Sequence, residues 1–167
     1  MKKFSVALLF AVLVSCVFAA CSDAKYEKKL DGQWSGRTSF IDDDGDAATM
    51  TMTLDLTASS HRMRMTLGYV VPDMGEVCRV KISGTWKAAS ETLWLDIDED
   101  TMSFEYDSMI EYGCEAMGLS LRDIKRQIEH EMRQELSGMD CYDIKKLTAN
   151  SLVLDMEDGV EITLKRR

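Results

Sequence analysis

Between Thr49 and Leu56 polar and apolar residues alternate without a break. Thr49, Thr51, Thr53 and Asp55 share one side, and Met50, Met52, Leu54 and Leu56 share the other. A period of two puts successive side chains on opposite faces of an extended chain, so this is a strand with one buried and one wet face. The same rhythm recurs through Trp34–Phe40, through Met63, Met65, Leu67 and Tyr69, and through Cys78, Val80, Ile82 and Trp86. It continues in Leu93–Ile97, then Met102, Phe104 and Tyr106, and after a gap in Tyr142–Ile144, Leu152–Met156 and Val160–Leu164. Short polar segments separate the runs, among them Asp42-Asp43-Asp44-Gly45-Asp46, Pro72-Asp73-Met74-Gly75, Asp98-Glu99-Asp100 and Asp158-Gly159. Consecutive strands with short turns read as an antiparallel meander, and closing it removes the exposed edges. The expectation is an all-β barrel of eight to nine strands.

One stretch has a different period. Ser108 and Glu111 stand at capping-box spacing, and Ser120 with Asp123 repeats the device. Leu121, Ile124, Ile128, Met132 and Leu136 then fall at helical spacing and make one narrow apolar stripe. A helical insertion over 108–138 is expected, between the sixth and seventh strands.

The chain starts with Lys2 and Lys3, followed by an uncharged apolar run from Phe4 to Ala20, which is the layout of an export signal. Val17-Phe18-Ala19-Ala20-Cys21 resembles the lipobox of bacterial lipoproteins. Leu13-Val14-Ser15-Cys16 is a second match, but Cys21 ends the apolar run and is the expected lipid site. The division that follows is a signal over 1–20, a tether over 21–29 and one barrel domain over 30–167. The expected location is the bacterial cell envelope, with the lipid as membrane anchor.

The sequence has 20 basic and 29 acidic residues and a formal charge of −9; loss of Lys2 and Lys3 with the signal takes it to −11. A field of that sign repels nucleic acid and anionic lipid surfaces, and no basic patch is interleaved with aromatics. Three cysteines follow Cys21, at 78, 114 and 141. One internal disulfide is the most they can form, and Cys114–Cys141 is the pairing expected because those two flank the helical segment.

Catalytic and metal-binding patterns are missing. His130-Glu131 opens like a zinc-protease motif, but Gln134 stands where the second His is needed. The acidic loop at 42–46 has Phe40 and Thr51 at two ligand positions of a calcium loop. The inward positions of the strands include no Asp or Glu, so no carboxylate pair for acid–base work is expected there. No cofactor and no enzymatic activity are expected.

Gly32-Gln33-Trp34 at the head of the first strand resembles the Gly-x-Trp signature of lipocalins and related calycins. In that family the Trp plugs the closed end of the barrel and an Arg from the last strand stacks on it. Arg166 is in phase with Ile162 and Leu164, so the resemblance implies a Trp34–Arg166 contact. Two features depart from the family: no Thr-Asp-Tyr motif occurs, and lipocalins carry their helix after the eighth strand. A second Gly-x-Trp occurs at Gly84-Thr85-Trp86. The family's habit of binding small apolar molecules points to an interior lined by Met50, Met52, Met63, Met65, Tyr69, Met102 and Phe104. Methionine adapts its shape to a ligand, and it fills a packed core equally well. Two functions follow: an envelope lipoprotein that binds a small apolar ligand, or an envelope interaction protein whose barrel is filled.

Overall fold

The computed structural model describes residues 24–41, 47–71, 75–136, 139–155 and 160–167. A short helix α1 (Ala24–Leu30) leads into strands β1 (Gly32–Ile41), β2 (Ala47–Thr57), β3 (Arg62–Val71), β4 (Gly75–Ala89) and β5 (Thr92–Tyr106). Helices α2 (Ser108–Met117) and α3 (Leu121–Glu135) follow, and β6 (Met139–Leu147), β7 (Ser151–Asp155) and β8 (Glu161–Arg166) complete the chain. Every strand pairs antiparallel with the next, and β8 pairs with β1, so the sheet is a closed eight-stranded barrel. The closed all-β barrel expected from the alternation is the observed architecture.

The seam between β1 and β8 brings Trp34 opposite Arg166 and Gly36 opposite Leu164. A Cβ at Gly36 would lie 2.1 Å from the carbonyl oxygen of Thr163, which no real side chain tolerates. Glycine at 36 therefore allows the last strand to approach closely enough to close the barrel.

The strand count corrects the expectation at one place. Asp98-Glu99-Asp100 reads as a hairpin turn, yet the strands on either side of it are one strand, β5. Both halves pair with β4: Thr92–Asp98 with Ala89–Ser83, and Ser103–Tyr106 with Lys81–Cys78. Between them the register shifts, and the acidic residues form a bulge. Asp98 Oδ1 accepts from the Asp100 amide at 3.2 Å, and Thr101 Oγ1 donates to the Asp98 carbonyl at 2.6 Å. Local Asx bonding makes a bulge and a turn look alike in sequence. The helical insertion accordingly lies between the fifth and sixth strands, not between the sixth and seventh.

The bulge also explains what the helices are for. Among the described residues β5 pairs with β6 over Thr92–Asp96, and the far half of β5 reaches beyond that pairing. Helix α3 covers that half, where open backbone groups would otherwise remain. Arg133 donates to the carbonyls of Glu99 (2.7 Å) and Met102 (3.2 Å), and its guanidinium stands 5.3 Å from the Phe104 ring. Tyr106 Oη donates to the Lys125 carbonyl at 3.3 Å, while Lys125 Nζ sits 5.0 Å over the Tyr106 ring. Asp107, not Ser108, caps α2, accepting from the Met109 amide at 2.9 Å; Ser120 caps α3 as expected.

At the opposite end, residues expected to be a plain tether fold back. From Ala24 the chain is helical, and Glu27 and Leu30 are buried against the barrel. Residues 21–23, including Cys21, lie outside the described residues, as does Met156. The packed core spans both levels of this closed half, with Trp34, Leu54, Leu56, Met63, Met65, Leu93, Leu152 and Ile162 all essentially inaccessible.

Candidate functional site: the open end of the barrel

The barrel is filled at one end and hollow at the other. A cavity of about 630 Å³ lies where Phe40, Met50, Tyr69 and Cys78 approach the ends of β1 to β4. Met52, Leu67 and Val80 form its floor, and Ile110 of α2 with Ile128, Met132 and Leu136 of α3 form its roof. The apolar stripe of α3 thus faces inward over the mouth, Lys125, Glu129 and Arg133 are half-buried beside it, and Arg122, Asp123, Arg126 and His130 are exposed. Phe40 and Tyr69 meet at the rim with their rings tilted by 55° and 6.2 Å between centroids. The volume is in the range of small-molecule pockets, and the lining is apolar except for a few groups.

Those few groups are Tyr69, Cys78 and Tyr142 from the strands and Glu131 from the helix side. Glu131 lines the cavity, and the neighbouring Glu129 accepts from Tyr106 Oη at 3.3 Å. Burial pushes the Cys78 thiol above its ordinary pKa, and the carboxylates of Glu129 and Glu76 push it in the same direction. Burial likewise raises the Tyr106 phenol, with Glu129 adding to the effect. Both groups are therefore neutral near pH 7; Cys78 lines the cavity, whereas Tyr106 lies outside it with its hydroxyl on the Lys125 carbonyl and Glu129. The strand pattern gives no hint of these carboxylates, because alternation lists only what strands point inward and α3 enters from above. The signal lies in the helix itself: Glu131 is adjacent to Met132 at the border of the apolar stripe.

The residues expected to line a ligand site separate into two groups. Met50, Met52 and Tyr69 border the cavity. Met63 and Met65 are each 1 % exposed and belong to the packed half. Met102 is buried beside the bulge, and Phe104 is half-buried under Arg133, where it holds α3 down. The two outer-face hollows nearby, of about 580 Å³ each, are lined mainly by charged and hydroxyl side chains of β1 to β5 and open widely to solvent.

The expected Cys114–Cys141 disulfide is absent: Cys78, Cys114 and Cys141 are all free thiols. Cys114 is buried on α2, whereas Cys141 is exposed on β6 opposite Trp94. Flanking a helical segment in sequence does not make two residues neighbours when the helices lie across the barrel mouth. Trp94 itself is half-buried, with Lys87 Nζ 5.6 Å from its ring.

The closed end has its own geometry. Trp34 is inaccessible to solvent, and its Nε1 donates to the Leu30 carbonyl at 2.7 Å. The Arg166 guanidinium lies 4.2 Å above the ring. It donates to the carbonyls of Lys29, Asp31 and Ala149, the first two at the C-terminal end of α1. A cation at that end of a helix satisfies open carbonyls and complements the dipole. His61 Nε2 meets the buried Glu27 carboxylate at 3.1 Å and fixes the middle of the same helix. Among the described residues no cluster of three His, Cys, Asp or Glu is arranged to hold a metal ion.

Comparison with family profiles and with curated proteins finds no match. Among solved structures, the chain is similar to a lipocalin-like protein from Bacteroides uniformis at 12 % identity and a TM-score of 0.41, over 83 % of this chain and 99 % of that one. It is also similar to an uncharacterized protein from Bacteroides eggerthii, at 12 % identity and a TM-score of 0.44, over 82 % and 98 %.

Proposed function

We propose that this protein is an exported, lipid-anchored binding module that holds one small apolar molecule in the open half of its barrel. The observation that carries this reading is the apolar cavity of about 630 Å³ roofed by α2 and α3. A cavity that size, with its floor already packed, takes a chain or ring of drug-like dimensions without rearranging the core. Met50, Met52 and Met132 adapt to its shape, and Glu131 with the neutral Cys78 thiol orients a single polar group. Lipidation at Cys21 and location in the envelope are part of the proposal and rest on the sequence at 1–21.

Native mass spectrometry of protein purified from its own envelope tests this directly. One co-purifying apolar molecule per chain is the expected result. A ligand-free mass, together with no uptake of an apolar fluorescent probe, would leave the alternative of an interaction protein. In that alternative the exposed Ile41 and Tyr112 at the open end, 67 % and 65 % accessible, supply the contact.

A further inference from the structure

Helix α1 has two unlike faces. Glu27 and Leu30, three residues apart, are buried against the closed end, while Lys25, Lys28 and Lys29 are exposed. Spacings of three and four residues put those lysines on one side of the helix, away from the barrel. Arg62 at the start of β3 and Arg167 after β8 are also exposed at this end. Asp31 and Glu91 are exposed at this end too. Within a net charge of −9, the face of α1 turned away from the barrel is nevertheless locally basic.

We infer that the closed end, through Lys25, Lys28 and Lys29, is a docking face for an anionic lipid bilayer, so that the cavity opens away from the membrane. The idea deepens the lipid-anchor reading and rests on it for orientation. From Cys21 to Ala24 the chain can reach about 10 Å, close to the screening length of about 8 Å at physiological ionic strength. An acyl group on Cys21 would therefore hold the lysines where headgroup charge is still felt, although the whole molecule is repelled at longer range. A lipid plus a basic patch is a stable two-signal anchor, and each lysine near an anionic surface contributes about fivefold in partitioning.

The test uses the full processed chain, with its intact mass recorded first. An unmodified Cys21 in that mass contradicts lipidation and leaves the docking face to be judged separately. The protein is then mixed with vesicles of phosphatidylcholine alone or with about one third phosphatidylglycerol, at low salt, and its lysines are acetylated and mapped. The expected result is protection of Lys25, Lys28 and Lys29 on the anionic vesicles only, with Lys125 on α3 labelled equally throughout. The triple variant Lys25→Glu, Lys28→Glu, Lys29→Glu should partition at least about tenfold more weakly onto the anionic vesicles whether or not Cys21 is acylated. Circular dichroism would establish that this variant is folded. Equal labelling of the three lysines on both vesicle types, or protection of Lys125 instead, overturns the inference.

Discussion

Arg166 and Trp34 face each other across the seam that closes the barrel, and the guanidinium of one lies 4.2 Å above the ring of the other. The same guanidinium holds the carbonyls at the end of α1, and the Trp34 indole holds the Leu30 carbonyl. Two side chains therefore join three things: the first strand, the last strand and the helix that covers the closed end.

Replacing Trp34 with Ala leaves a void where a fully buried indole packs beside the inaccessible Leu30, Leu54 and Leu164. The expected cost is ~3–5 kcal/mol in denaturant unfolding. A loss below about 1 kcal/mol would mean that Trp34 is not a packed plug.

Much of this end was legible in the sequence. The phase of Arg166 with Ile162 and Leu164, together with the Gly-x-Trp at 32–34, places both partners without any structure. The helical nature of 24–30 was not legible, because α1 has fewer than two turns and exposes three lysines, so it has no apolar stripe to read. At the other end, strand alternation correctly placed Met50, Met52 and Tyr69 on an inner face. It could not say at what height a barrel stops being filled, which is why Met63 and Met65 read identically yet lie in the packed half. The joining of two strands into β5 was hidden for a different reason: an acidic bulge and an acidic turn use the same side-chain bonds.

Arg166→Met keeps much of the apolar stem and removes the donors to Lys29, Asp31 and Ala149. The expected destabilisation is ~1–3 kcal/mol. Hydrogen exchange should localise the effect, with α1 amides losing protection before those of β2 and β3. Uniform loss across the barrel would contradict a specific role at the helix end.

Alkaline pH should weaken the fold through two groups beneath α3. Cys78 and Tyr106 have raised pKa values in the folded protein, so the unfolded chain releases their protons first. A raised folded pKa gives stability that is fully present below the unfolded value and is lost as pH rises toward the folded one. For these groups the loss begins near the ordinary values of 9.0 and 10.0. Unfolding midpoints should therefore fall between pH 8 and 10.5, read as about that interval, and Tyr106→Phe should flatten the slope. An unchanged slope in that variant would remove Tyr106 from the account.

Thiol chemistry separates the three cysteines. Cys141 is exposed and should react rapidly with an alkylating reagent in the native state, whereas Cys78 and Cys114 should react only on unfolding. The intact mass should correspond to three reduced thiols. A mass two units lower, of the order of two hydrogens, would restore a disulfide.

The central claim is that the hollow half of the barrel, and not the packed half, receives the ligand. Titration with an environment-sensitive apolar probe measures this when wild type is compared with Met50→Trp, which fills the cavity, and Met63→Leu, which alters only the packed core. The account predicts one probe per chain, binding at least about tenfold weaker, or 1.4 kcal/mol, in Met50→Trp, and unchanged affinity in Met63→Leu. Equal binding by wild type and Met50→Trp, or none by wild type, would contradict it.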